Sequence, residues 1–353
     1  MTSGKVHSAE SAEEKAERAE SITQTGIRLR SKVPNVFYNP NPLASSDLNQ
    51  VIQAVKANAS DGDLLSVQGV IERQNQIIKY KNITFQEGSQ LVLNNPNVPW
   101  IAIVSQRILF NAPQVQSAVK LFTVSAPVAQ AGTRGSHGVS YDQTNTGGSG
   151  KSGGHGGAGN PGEHGQLIRV PDIYIFTGEI KADLGDPDII TMNLNFPGHQ
   201  GSMGGQGGQG GNGGSGERGQ RAVSGGLGCK QGAKQGGNGG NCGPGGRGGD
   251  GGSGSDGSAV TLYGTLTVLD RMSYWGFNVE KGLGGLGGNP GIPGNVGPGG
   301  LGGANDPPYC STEAHGGYDG RYPNPSQLGK GTKGSDGSVG SITYAEGVVN
   351  DFW

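Results

Sequence analysis

The chain has 353 residues, of which 72 are glycine and only 32% hydrophobic. Glycine at that level, against a usual ~7%, excludes one ordinary core spread over the whole length, so burial must be concentrated in part of the chain. A net charge of −2 gives no electrostatic case for nucleic acid or an anionic membrane surface, and no apolar run approaches the ~20 residues that span a bilayer.

The first 45 residues read as an N-terminal arm. Residues 9–20 (AESAEEKAERAE) form a short polar helix or a solvated tail, and 24–44, with its Pro and Asn, is extended. The opening has no apolar h-region, so it is not a Sec signal peptide. Export by another route, or assembly into a virion, would both fit.

From residue 46 the pattern changes. Leu48, Val51, Ile52 and Val55 recur at i, i+3, i+4 and i+7, with Ser46 as the candidate N-cap, which predicts an amphipathic helix ended by the Asp61-Gly62 turn. Short aliphatic runs follow: LLSV, QIIKY, ITF, QLVL, WIAIV, RILF and AVKLFTV. Two of the phrases, 83–93 and 101–113, share a plan of aliphatic pair, polar spacer and second aliphatic pair. The same plan returns at 173–183, 260–270 and 342–351. A strand, a tight turn and a second strand in register make one coil of a solenoid; unrelated hairpins would give the same runs. Residues 46–130 are therefore expected to be a capped β-solenoid, and 131–353 to alternate β units with glycine rods.

The rods carry the strongest signal. In 198–219 glycine occupies every third position without a miss, and similar rows cover 147–165, 237–257 and 282–303, with a short one at 331–340. A period of three matches neither helix nor strand but does match polyproline II, at ~3.1 Å per residue. Glycine edges would let bare backbones meet, giving a packed polyproline II bundle. Flexible linkers and a collagen triple helix are the alternatives. Strict register argues against the first, and the scarcity of Pro at the other two positions argues against the second.

These features resemble two families. A helix, a DGD turn and a β run are similar to the opening of right-handed parallel β-helix proteins, in which the helix caps the first coil. The glycine rods resemble the tail-fibre adhesins of T-even-like phages, which implies a tip protein that binds a host receptor through loops joining the rods. They also resemble springtail antifreeze proteins, but Gln, Asn, Lys and Arg at the outward positions are poorly suited to ice. The expected fold class is thus all-β: a short right-handed β-solenoid with an N-terminal cap helix, plus a glycine-rich polyproline II bundle.

Candidate chemistry is sparse. Asp183, Asp186 and Asp188 are the densest carboxylate group, within a Gly- and Pro-containing turn. Ser136-His137 has a faint likeness to a pectin-hydrolase element without its partner Asp motifs, and GGSGKS at 147–152 lies in period-three sequence rather than before a helix. No catalytic residue, metal ligand or cofactor is assigned. Cys229, Cys242 and Cys310 fit no zinc spacing; a Cys229–Cys242 disulfide is one pairing, and the odd count leaves at least one thiol free or intermolecular.

Binding is the stronger reading. Residues 305–327 interrupt the rods and carry Tyr309, His315, Tyr318, Arg321 and Tyr322; a second interruption at 137–146 offers Tyr141. Rings beside polar and charged groups suit a glycan or protein epitope, although the rings could instead pack on neighbouring rods. The expected function is a non-enzymatic extracellular or virion surface protein, a structural scaffold and adhesin for a cell-surface glycan or protein receptor, compatible with a homo-oligomer. A polysaccharide-active β-helix enzyme is the alternative.

Overall fold

The computed structural model describes residues 16, 17, 20, 36–39, 45–95, 98–111, 117–121, 129–131, 133, 136–140, 154, 167–182, 191–324 and 329–353. Among these the strands are β1 (Val36–Asn39), β2 (Gly62–Val67), β3 (Val70–Arg73), β4 (Ile77–Phe85), β5 (Gln90–Leu93), β6 (Trp100–Phe110), β7 (Ser117–Leu121), β8 (Asp172–Ala182), β9 (Met192–Asn195), β10 (Val223–Gly225), β11 (Gly228–Gln231), β12 (Val260–Gly264), β13 (Gly276–Asn278) and β14 (Ile342–Glu346). Helix α1 spans Ser46–Ala57 and helix α2 spans Leu266–Met272.

Two sheets organise the molecule. One has seven strands in the order β1-β14-β12-β8-β6-β4-β2, the other five in the order β13-β9-β7-β5-β3. Every pairing in both is parallel. This corrects the all-β expectation of a right-handed β-solenoid with an attached polyproline II bundle: the architecture is of α/β type, two parallel sheets with a few helices. The physical reason lies in the runs themselves. In WIAIV and IYIF the residues alternate between two cores, Ile101, Ile103, Ile173 and Ile175 facing one and Ala102, Val104, Tyr174 and Phe176 the other. Parallel strands covered on both faces read as continuous apolar runs, which sequence alone does not separate from a repeating coil.

The first core lies between the sheets and is built from Leu65, Phe85, Leu91, Phe110, Val119, Leu194, Leu262 and Tyr344, among others. The second covers the opposite face of the seven-stranded sheet. There Leu48, Val51, Ile52 and Val55 of α1 are all buried, on the face that their spacing predicts. The helix thus lies on a sheet face rather than capping an end, and its N-cap is Ser45 rather than Ser46. Its C-terminal end is closed by Lys79, whose Nζ donates to the carbonyls of Val55 at 2.9 Å and Asn58 at 2.6 Å. A cation at that end complements the helix dipole. Two expected strands are absent. Residues 266–272 form α2, with Leu266, Val268, Leu269 and Met272 buried, and the chain after β14 ends in a 3-10 turn, Asn350–Phe352. Both segments are too short for apolar spacing to decide their period.

The glycine segments 198–219, 234–258 and 279–303, and the described parts 314–324 and 329–340 of a fourth, prolong the sheets. The first follows β9 and the third follows β13, and their backbones continue that parallel pairing: Phe196 N–H donates to Asn278 O at 2.7 Å, Gly198 to Glu280 O at 2.8 Å and Gly204 to Leu286 O at 2.9 Å, and so on to Gly219 and Leu301. The second leads into β12 and the fourth into β14, with Gly257 N–H on Ser338 O at 2.9 Å and Val260 on Ser341 O at 2.8 Å. Two glycine layers therefore run out from two sheets. Where the sheets keep side chains between them, the layers meet backbone to backbone, with a few side chains such as Ser255 and Asp336 reaching across to the N–H groups of His199 and Gly284. Gly252 N–H donates across to Ser202 O at 2.8 Å, and Gly285 N–H to Gly252 O at 2.8 Å. A Cβ on Gly204 would lie 2.0 Å from Gly249 O, and one on Gly288 2.0 Å from Gly205 O. Glycine is required by this close approach, not by a left-handed φ.

Candidate functional site

The five described residues expected to bind a partner are not on one loop. Ala314, Gly317 and Gly320 donate to the carbonyls of Gly303, Gly300 and Gly297 at 3.0, 2.8 and 2.8 Å, so 314–321 is bonded into the glycine layers. The carbonyls of His315 and Tyr318 accept from Gly236 and Gly239 at 3.0 and 2.8 Å. Backbone N–H groups of Tyr318 and Arg321 donate to Asn238 Oδ1 at 2.9 Å and Asn241 Oδ1 at 2.8 Å. In the sequence this stretch does not show the glycine period, because Ala314 stands at a glycine position and its flanks carry Pro. What the structure brings together is a row: His315, Tyr318 and Arg321, three residues apart, exposed on a backbone held from both sides. Tyr322 follows, also exposed.

Tyr309 stands apart, at the far end of the layers. There β10 and β11 pair as an antiparallel hairpin, and Asp306 and Cys310 bridge each other at 2.8 and 3.1 Å. Asp306 also accepts from Ser224 N–H at 2.7 Å and Arg221 Nη2 at 3.3 Å. A disulfide joins Cys229 to Cys310, with Cα atoms 4.9 Å apart, while Cys242 is free and buried. The Cys229–Cys242 pairing is thereby corrected. Those two cysteines are close in sequence, but the antiparallel return of the segment carries Cys242 away from the hairpin, whereas 310 is brought to it from the neighbouring turn. This tip, where Leu227 is fully exposed and Tyr309 half-exposed, was missed in the sequence; the turn signal Gly225-Gly226-Leu227-Gly228 next to a cysteine was its trace.

Tyr141 lies outside the described residues, as do Asp183, Asp186, Asp188 and GGSGKS. His137, from the Ser-His pair, accepts the backbone N–H of Asn212 at Nδ1, 3.1 Å away. Carboxylates on the glycine layers are likewise engaged with backbone. Asp250, Asp256, Asp319 and Asp336 accept from the N–H groups of Thr332, Ser338, Gly299 and Gly284. The Asp336 carboxyl is held well below the usual carboxylate range by hydrogen bonds from Lys333, the Gly284 N–H and Lys281. Each uses an acceptor oxygen to satisfy a donor on the next segment, a structural task. Among the described residues no helix is long and apolar enough to cross a membrane.

No protein-family model and no curated protein matches the chain. The likeness of its glycine tracts to tail-fibre adhesins therefore gains no support, and the two-sheet architecture sets it apart from the β-helix proteins.

Proposed function

We propose that this protein is a non-enzymatic structural scaffold that works outside the reducing cytosol and holds a binding surface for a glycan or a protein receptor. The observation that carries this reading is the row His315, Tyr318 and Arg321, with Tyr322 beside it, exposed on backbone fixed by its neighbours. Side chains on a pre-ordered backbone lose less freedom on binding, and Tyr and Arg are the residues that most often dominate interfaces. Tyr rings offer a face to a sugar ring and Arg a bidentate donor to a carboxylate or sulfate. The Cys229–Cys310 disulfide suits an oxidising compartment.

The test is the combined variant Tyr318→Ala, Arg321→Ala and Tyr322→Ala, probed on a glycan array and on whole cells. Loss of even one such anchor corresponds to roughly thirtyfold in affinity, with an unchanged melting temperature because these side chains face solvent. Undiminished binding by the folded variant would refute the assignment.

A further inference from the structure

We propose that the protein forms an antiparallel, twofold-symmetric dimer through the outer face of the layer made by segments 198–219 and 279–303. Every third residue of the latter points outward, and these residues are Leu283, Leu286, Asn289, Ile292, Asn295, Pro298 and Leu301. The aliphatic ones are 48, 56, 61 and 62% exposed, a row of large apolar side chains interrupted only by the amides of Asn289 and Asn295. Beside it run Met203, Gln206, Gln209 and Asn212, and Asn212 Oδ1 accepts the Asn295 N–H at 2.9 Å, which places both rows on one face. The 283–301 row contains no charge, and the row beside it continues through Ser215 to Arg218 near Leu301, which a twofold axis at Ile292 sets opposite Gln200. The outer face of the other layer, by contrast, carries Arg247, Asp250, Asp256 and Arg321.

The order of the stripe names its occupant. Read outward from Ile292 its apolar and amide pattern repeats in both directions: Asn289 against Asn295, Leu286 against Pro298, Leu283 against Leu301. A second copy turned about a twofold axis at Ile292 sets apolar on apolar and amide on amide throughout, the self-complementarity that an isologous contact needs. In the neighbouring row Gln209 meets itself and Gln206 meets Asn212. The antiparallel arrangement also keeps each segment over its own copy. A parallel twofold stacking would either overlap one segment only or lay leucines over Gln206 and Gln209. The stripe is ~56 Å long at ~3.1 Å per residue. With two segments ~5 Å apart and their side chains, each copy contributes roughly 600 Å² and the contact roughly 1,200 Å², above the ~1,000 Å² expected of a specific interface.

Sedimentation equilibrium of the full chain tests this, with oxidative cross-linking of Cys variants; Cys242 is buried, and the unaltered chain is the blank. Expected are a reversible dimer, and a dimer weakened roughly a hundredfold by Ile292→Asp, which sets two carboxylates face to face on the axis. Ile292→Cys should cross-link to itself, and Leu283→Cys only when mixed with Leu301→Cys. Because all these positions point outward, thermal melting should match that of the unaltered chain at concentrations low enough for both to be monomeric. A monomer at every concentration, or Leu283→Cys cross-linking to itself, would overturn the proposal.

Discussion

Replacing Gly207 by Ala puts one methyl group where two backbones meet. Its Cβ would lie 2.0 Å from Gly246 O, 2.6 Å from Gly246 C and 2.7 Å from Gly291 N. All three are main-chain atoms, so no side chain can rotate away. To reach an ordinary contact the segments must separate by more than an ångström. That separation strains three hydrogen bonds around the site: Gly207 N–H to Asn289 O at 2.9 Å, Gly246 to Gly208 O at 2.7 Å and Gly291 to Gly246 O at 2.8 Å. Overpacking alone costs ~1–3 kcal/mol, and each bond lost adds ~0.5–1.5. The expected destabilisation is about 3–5 kcal/mol, a large part of a typical ~5–15. Gln206→Ala trims an exposed side chain of the same segment and should stay within ~0.5 kcal/mol. Guanidinium unfolding of the two variants measures the difference, and hydrogen exchange shows whether the amides of Gly201 to Gly213 lose protection around position 207. Equal midpoints for the two variants would refute the reasoning that close backbone approach selects glycine here.

Removing the disulfide with the pair Cys229→Ser and Cys310→Ser should lower stability by about 2–4 kcal/mol, since it links positions 81 apart in sequence at the tip; a midpoint insensitive to reduction would contradict this. Asp336 predicts a pH dependence. Its folded value lies below its ordinary 3.8, so its contribution is present above that pH and is lost as pH falls toward the folded value. Asp336→Asn should therefore be less stable than the unaltered chain near neutrality, with the gap closing in acid; a gap independent of pH would show that the Lys333, Gly284 and Lys281 contacts contribute nothing.

Sequence and structure part company at identifiable places. The spacing of Leu48, Val51, Ile52 and Val55 determines a helix and its buried face, because a single turn geometry brings those positions together. The three-residue glycine rows likewise mark where backbone must approach backbone, since no other residue leaves the required space. The candidate row was legible only as composition: Tyr318, Arg321 and Tyr322 could be named, but their fixing by Asn238, Asn241 and the glycine carbonyls could not. Partners are set by long-range return of the chain. Gly207 carries no mark that its neighbours are Gly246 and Gly291, and Cys229 none that its mate is 310 rather than 242. The runs at 101–104 and 173–176 are continuously apolar and by themselves read as coils of a solenoid, and the division into sheets of seven and five strands appears only when each face meets its own cover. Local periodicity is a property of a few consecutive residues and can be read from them. Sheet membership, layer contacts and the disulfide depend on which distant segments lie alongside, and that was decided by packing the two cores and closing the glycine layers together.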